Sequence, residues 1–369
     1  MAFRKARRHS RTMVKARIRT TDILPLLGLL IALASLAVPL PALLLGVALI
    51  ASVLAAVHHA EVVAHRVGEP FGTLILALAV TVIEVGLILT LMQADPEKSV
   101  TLARDTVFAA VMVILNLLMG LCLMVGAIEH HEQRFQRTGM GAALATLTVL
   151  TVVALVLPNY TSSAPGPHYS PEQLGFVAVV SLWLYATFAL VQTVRHRGYF
   201  LPDGDDQAEP EVHAAPPSGA RTALSGGLLL ASLIAVVLLA KQLSPTIGTL
   251  LASAGAPAAV LGVVIAAMVL APESLAAIRA ARANRLQTSL NLALGSALAT
   301  IGLTIPAVAL LSVITDMPIA LGLSDKSAVL LFLSLIVASQ TLANGRTTVL
   351  QGAIHLTIFA VYLFTTFVP

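Results

Sequence analysis

The chain has 369 residues, 57% of them hydrophobic and 11% charged, with a mean hydropathy of +0.91. Soluble domains carry about 25% charged residues, so this composition excludes an ordinary soluble fold and points to an integral membrane protein. The single cysteine, Cys122, excludes a disulfide framework, and the net charge of +4 does not mark a nucleic-acid binder, because 8 of the 22 Lys and Arg residues crowd into the first 19 positions.

That basic tail, residues 1-22, precedes the first apolar run at 23-38 and reads as a cytoplasmic anchor. Tail and run also resemble a signal peptide, with ASLA near the end, but the many spans that follow favour an uncleaved peripheral helix. Spans are then expected at 42-60 and 71-92, joined through HHAEVVAHRVGEPFG at 58-72. Glu61, His65, Arg66 and Glu69 in that segment read as a solvated interfacial turn or as a proton access route, with His65 and Glu69 as its candidate groups. Within 71-92 lies AVTVIEVGLILT, where Glu84 stands alone; an ionised carboxylate at the centre of a span costs roughly 2.5 to 3.5 kcal/mol. Spans at 105-128, 141-157 and 173-194 complete a first half, 39-194. Asp105 opens the first of them as a helix cap or as a guide for cations, and Asn116 lies deeper as a candidate ligand.

Residues 195-222, with DGDDQAEPEVHAAPPSG at their centre, form the one long polar connection and read as an acidic cytoplasmic linker that tethers the halves or gathers cations. The second half, 223-369, carries spans at 224-240, 258-279, 289-312, 327-343 and 348-367. In MVLAPESLAAI a second lone carboxylate, Glu273, follows Pro272, whose missing N–H frees a backbone carbonyl one turn earlier. The next span brings Ser296 and Thr300 toward the middle as candidate hydroxyl ligands or as residues bonded to their own helix. His355 and the QTLANGR turn at 340-346 read as packing and turn chemistry.

The distribution of basic residues checks this count independently. With the N-terminus inside, inner segments hold 18 of the 22, and outer segments hold four, Lys98, Arg104, Lys241 and Lys326. The expected fold is therefore an all-α integral membrane protein of about 11 transmembrane helices, one extra N-terminal helix plus two inverted five-helix repeats, with the C-terminus outside. Glu84 and Glu273 occupy the second helix of each repeat and approach similar depths from opposite faces. No basic residue lies mid-span to neutralise them, so a bound cation or protons must, and the two compete for the same oxygens. Carboxylate and hydroxyl oxygens suit hard cations such as Ca²⁺, Na⁺ and K⁺.

The stretches HRVGEPFGTLILALAVTVIEVGLI and APESLAAIRAARANRLQTSLNLALGSALATIGLTIP, with the late GRTTVLQGAIHL, resemble bacterial ChaA-type antiporters of the calcium/cation antiporter superfamily across nearly the whole chain. Related exchangers carry GNxxE in each half. Glu84 and Glu273 match its acidic position, while Val80 and Val269 replace Gly, and Thr81 and Leu270 replace Asn. Ala299 stands where those relatives have Gln. The resemblance implies export of Ca²⁺, or of Na⁺ and K⁺, against protons in a bacterial inner membrane. Glu84 and Glu273 would be the metal-binding carboxylates, and Thr81, Ser296 and Thr300 would stand near them. The cations are cargo and no cofactor is expected; the partners are inorganic cations, protons and the lipid bilayer, with no nucleic acid. A carboxylate-lined cation channel is the alternative, and the lack of HExxH, GxSG and GxGD argues against an intramembrane enzyme.

Overall fold

The computed structural model describes residues 20–68, 71–94, 100–201, 216–257, 259–315 and 317–368. In chain order the helices begin with α1 (Thr20–Ala37), α2 (Ala42–Val67) and α3 (Phe71–Ala94). One continuous span follows, α4 (Leu102–Met112), a π-helical segment (Val113–Leu118) and α5 (Met119–His130). Then come α6 (Arg137–Thr151) and α7 (Pro171–Leu190), each prolonged by a π turn, and α8 (Gly219–Ser253) and α9 (Ala259–Arg282). A second interrupted span joins α10 (Leu286–Ala299) through the π segment Thr300–Thr304 to α11 (Ile305–Thr315), and α12 (Asp325–Ala343) and α13 (Val349–Phe367) close the chain. Among the described residues eleven helices are long and apolar enough to cross a membrane, the number the sequence predicts.

Local chemistry sets the ends. Gly68, at φ 77°, stops α2; Ser170 and Gln173 form a capping box on α7, and Thr348 and Gln351 form another on α13. One boundary departs from the sequence reading. Lys241, assigned to an outer loop, lies inside α8 with an exposed side chain, because residues 241–244 contain no Gly or Pro to stop the helix. Pro245 does not end the helix either: its missing N–H deprives only the Lys241 carbonyl of a partner. Two short strands, β1 (Gln133–Arg134) and β2 (Arg346–Thr347), pair antiparallel and join the turns after α5 and α12, an addition to the all-α reading.

Lipid tails are as apolar as leucine, so helices here associate through close fit and polar contacts rather than hydrophobic burial. The α4–π–α5 span is the most buried of the eleven. At its start a Cβ on Gly262 of α9 would sit 2.8 Å from the Asp105 carbonyl carbon, so the two backbones touch there. At its end Glu129 and Arg282 pair at 3.0 Å. These two anchors make α9 run parallel to α4–π–α5 along its whole length. Helix α1 stands outside this core against α2 and α8, with Leu26, Leu30, Leu33 and Leu36 turned outward. It is held to α8 by Asp22 and Arg221 at 2.7 Å, and to α2 by the His59 ring on the Thr21 carbonyl at 3.0 Å.

The halves interlock reciprocally. Helix α3 packs on the 300–304 π segment of the second half, and α9 packs on the 113–118 π segment of the first. This is the inverted-repeat arrangement the sequence predicts.

Candidate functional site

Glu84 is 2% exposed on α3, flanked by the buried Ile83 and Val85. The Thr304 hydroxyl, on the last residue of the 300–304 π segment, donates to Glu84 Oε2 at 2.7 Å. Glu273 lies on α9 directly after Pro272, and its Oε2 is buried without a hydrogen-bond partner. Among the described residues no Lys, Arg or His forms an ion pair with either carboxylate. Among the described residues no three His, Cys, Asp or Glu side chains converge there. Glu84 thus has a neutral hydroxyl as its partner, while Glu273 has the Glu61 carboxylate nearby.

Helix register places Asn116 near the depth of Glu273. It lies eleven residues beyond Asp105, and Glu273 lies eleven beyond Gly262, the point where those helices touch. With parallel helices rising about 1.5 Å per residue, the two come within about one turn of the same depth. Asn116 is fully buried; its Nδ2 donates to Ser334 Oγ of α12 at 2.9 Å, and its Oδ1 has no partner. Asn116 Oδ1 and Glu273 Oε2 are thus two buried, unpaired oxygens on elements that pack together, α9 and the 113–118 segment. Pro272 leaves the Met268 carbonyl without its helical partner one turn above Glu273.

The remaining candidates are dispersed. Thr81 is buried but spends its hydroxyl on the Ala77 carbonyl at 2.9 Å, the bond to its own helix usual for Thr in a span. Thr300 is buried at the start of its π segment, and Ser296 is half-buried one turn earlier. Asp105 accepts from Arg104 Nε and Thr101 Oγ1, both at 2.8 Å, and lines a cavity of about 130 Å³ with Arg104, Lys326 and Tyr362. His65 is exposed in the last turn of α2, and Glu61, on the same helix, stands near enough to Glu273 for their charges to repel. Glu69 and the acidic stretch 203-211 lie outside the described residues. Thr304 escaped the sequence reading, although Ser296, Thr300 and Thr304 follow one another at helical spacing.

The sodium/calcium exchanger protein family matches residues 24–194 and 224–368, the two halves on either side of the acidic segment. The chain belongs to the sodium/calcium exchanger family. Within this family it is 36% identical over 326 residues to the sodium-potassium/proton antiporter ChaA of Escherichia coli, covering 88% of each chain. It is 47% identical over 353 residues to y4hA of Sinorhizobium fredii, named as a candidate ionic transporter, covering 94% of this chain and 95% of that one. The ChaA-type resemblance read from the sequence holds. The exchanger fold is shared with the solved structure of native YfkE at a TM-score of 0.70 and 18% identity, over 95% of this chain and all of that one. The family's relatives are transporters in a membrane, not enzymes.

Proposed function

We propose that the protein is a secondary antiporter of the bacterial inner membrane that exports Na⁺ or K⁺, or Ca²⁺, in exchange for entering protons. Glu84 and Glu273 alternately hold the cation and the proton. The observation that carries this reading is a pair of intramembrane carboxylates, one on each repeat, Glu84 buried and Glu273 half-buried with a buried, unpaired Oε2, neither with a cationic partner among the described residues. An ionised pair in that setting is stable only with cargo bound, so emptying the site of cation invites protons and the reverse.

Thr304 and Asn116 supply neutral oxygens to Glu84 and Glu273 respectively, and the freed Met268 carbonyl adds a third. The names of the relatives, an Na⁺-K⁺/H⁺ antiporter and several Ca²⁺/H⁺ antiporters, support exchange over the channel alternative. The basic residues on alternate connections support a cytoplasmic N-terminus and an external C-terminus. The repeats expose the site to each side in turn by moving against one another.

The test is flux in proteoliposomes, run with Na⁺, K⁺ and Ca²⁺ in turn across an imposed pH gradient. Cation efflux coupled to proton entry, lost in Glu84→Gln and in Glu273→Gln, is the expected result. Flux that ignores the pH gradient and follows voltage alone would falsify the antiporter reading.

A further inference from the structure

His355 of α13 is fully buried, and the proposed exchange cycle assigns it no task. Its Nε2 lies 3.1 Å from Thr341 Oγ1 of α12, while Nδ1 is buried without a formed hydrogen bond. The ring stands near the backbone carbonyl of Leu115, the residue before Asn116, on the π segment against which α13 packs. That carbonyl is unusual. In an unbroken α-helix the Met119 N–H would bond Leu115, but in the 113–118 π segment it bonds the Ile114 and Asn116 carbonyls instead. Helix α13 is seated close enough for this by two glycines. A Cβ on Gly120 would lie 3.0 Å from the His355 Cβ, and one on Gly352 would lie 2.7 Å from the Met124 nitrogen.

Helix α12 serves the same segment from two points on one face. Ser334 receives the Asn116 amide, and Thr341, two turns later, meets His355. We infer that His355 and Thr341 form a positioning pair that takes up the displaced Leu115 carbonyl and so fixes the rotation of Asn116 toward Glu273. In this arrangement Nδ1–H is directed at Leu115, and Nε2 accepts from the Thr341 hydroxyl. A displaced carbonyl with no donor in a dry span would pull the segment back toward regular α-helix, turning Asn116 by a large fraction of a residue step. The inference rests on the proposed role of Asn116 and Glu273 as cation ligands.

The full-length protein in proteoliposomes tests it, with Na⁺, K⁺ and Ca²⁺ each used as the probe. His355→Leu is expected to raise the half-saturating cation concentration about tenfold with the maximal rate nearly kept, and Thr341→Val about threefold, the effects of losing one buried hydrogen bond. His355→Gln, which keeps a donor and an acceptor, stays within about threefold of wild type. His355→Leu added to Asn116→Leu costs no more than Asn116→Leu alone, because both act through one ligand. Should His355→Leu fail to insert, Thr341→Val and His355→Gln carry the comparison. The inference is overturned if these variants lower only the maximal rate, or if the His355 and Asn116 effects add fully, while Glu273→Gln still abolishes exchange. If Glu273→Gln leaves exchange unchanged, the reading of the site falls and the role of His355 falls with it.

Discussion

Thr304 and Glu84, 220 residues apart in sequence and on opposite repeats, meet in a 2.7 Å hydrogen bond in which the hydroxyl donates to a buried carboxylate. In the proposed cycle this bond links the two repeats at the site, so it must break or be replaced as they move. Removing the hydroxyl by Thr304→Val deletes one bond to an ionisable group, a loss of about 1.5 to 3 kcal/mol in favourable cases. The half-saturating cation concentration in proteoliposomes is expected to rise at least about tenfold, with Thr304→Ser close to wild type. Loss in Thr304→Ser with Thr304→Val close to wild type would point to packing at the methyl group instead.

Competition at the carboxylates has a sign. In the proposed cycle the cation binds the ionised form, so its apparent affinity should improve as pH rises, by about tenfold per unit for each proton displaced, and level off once the carboxylates are ionised. Isotope uptake measured from pH 6 to 9 is expected to show half-saturation falling with pH at a nearly constant maximal rate. A half-saturation independent of pH would remove the shared-site mechanism.

Gly262 sets the spacing between α9 and α4. A Cβ there would stand 2.8 Å from the Asp105 carbonyl carbon and 2.9 Å from the Thr106 nitrogen, both backbone atoms that cannot turn aside. Overpacking of this kind costs about 1 to 3 kcal/mol. Gly262→Val should lower the thermal unfolding temperature of the detergent-solubilised protein by several degrees, whereas Gly295→Ala, where a Cβ meets nothing within 4 Å, should leave it unchanged.

Tyr169, in the connection before α7, gives a pH effect outside the spans. Its hydroxyl donates to the Val153 carbonyl at 2.6 Å, and burial pushes its pKa up to about 12 from 10. A folded pKa above the unfolded one favours the protonated fold, so this contribution is complete below pH 10 and is lost between about pH 10 and 12. Tyr169→Phe removes the bond and the titration together. Its melting temperature should lie slightly below wild type at pH 8, and the gap should close above pH 11.

Much of the architecture was legible because the bilayer imposes local rules. Length and apolarity mark a span wherever they occur, and the eleven runs matched helices even where bounds moved, as at Lys241. Glu84 and Glu273 stood out because a lone carboxylate is conspicuous in an apolar run. Their neighbours did not. Ser296, Thr300 and Thr304 look alike in sequence, and only Thr304 bonds Glu84, because the π segment changes the angular step at which side chains leave the helix. Thr81, beside Glu84 in sequence, turned to its own backbone instead.

By itself, then, the sequence determined a membrane protein of eleven spans, built as two inverted halves with one unneutralised carboxylate in each. Those properties follow from composition and charge read along single helices, and a membrane punishes any other reading by several kilocalories per exposed polar group. Tertiary structure alone decided which neutral oxygens meet the carboxylates. Glu84 met Thr304, and Asn116 was left with an unpaired Oδ1 at the depth of Glu273. Those pairings depend on the approach of helices from opposite repeats and on two π segments whose shifted hydrogen bonds carry no signature in composition.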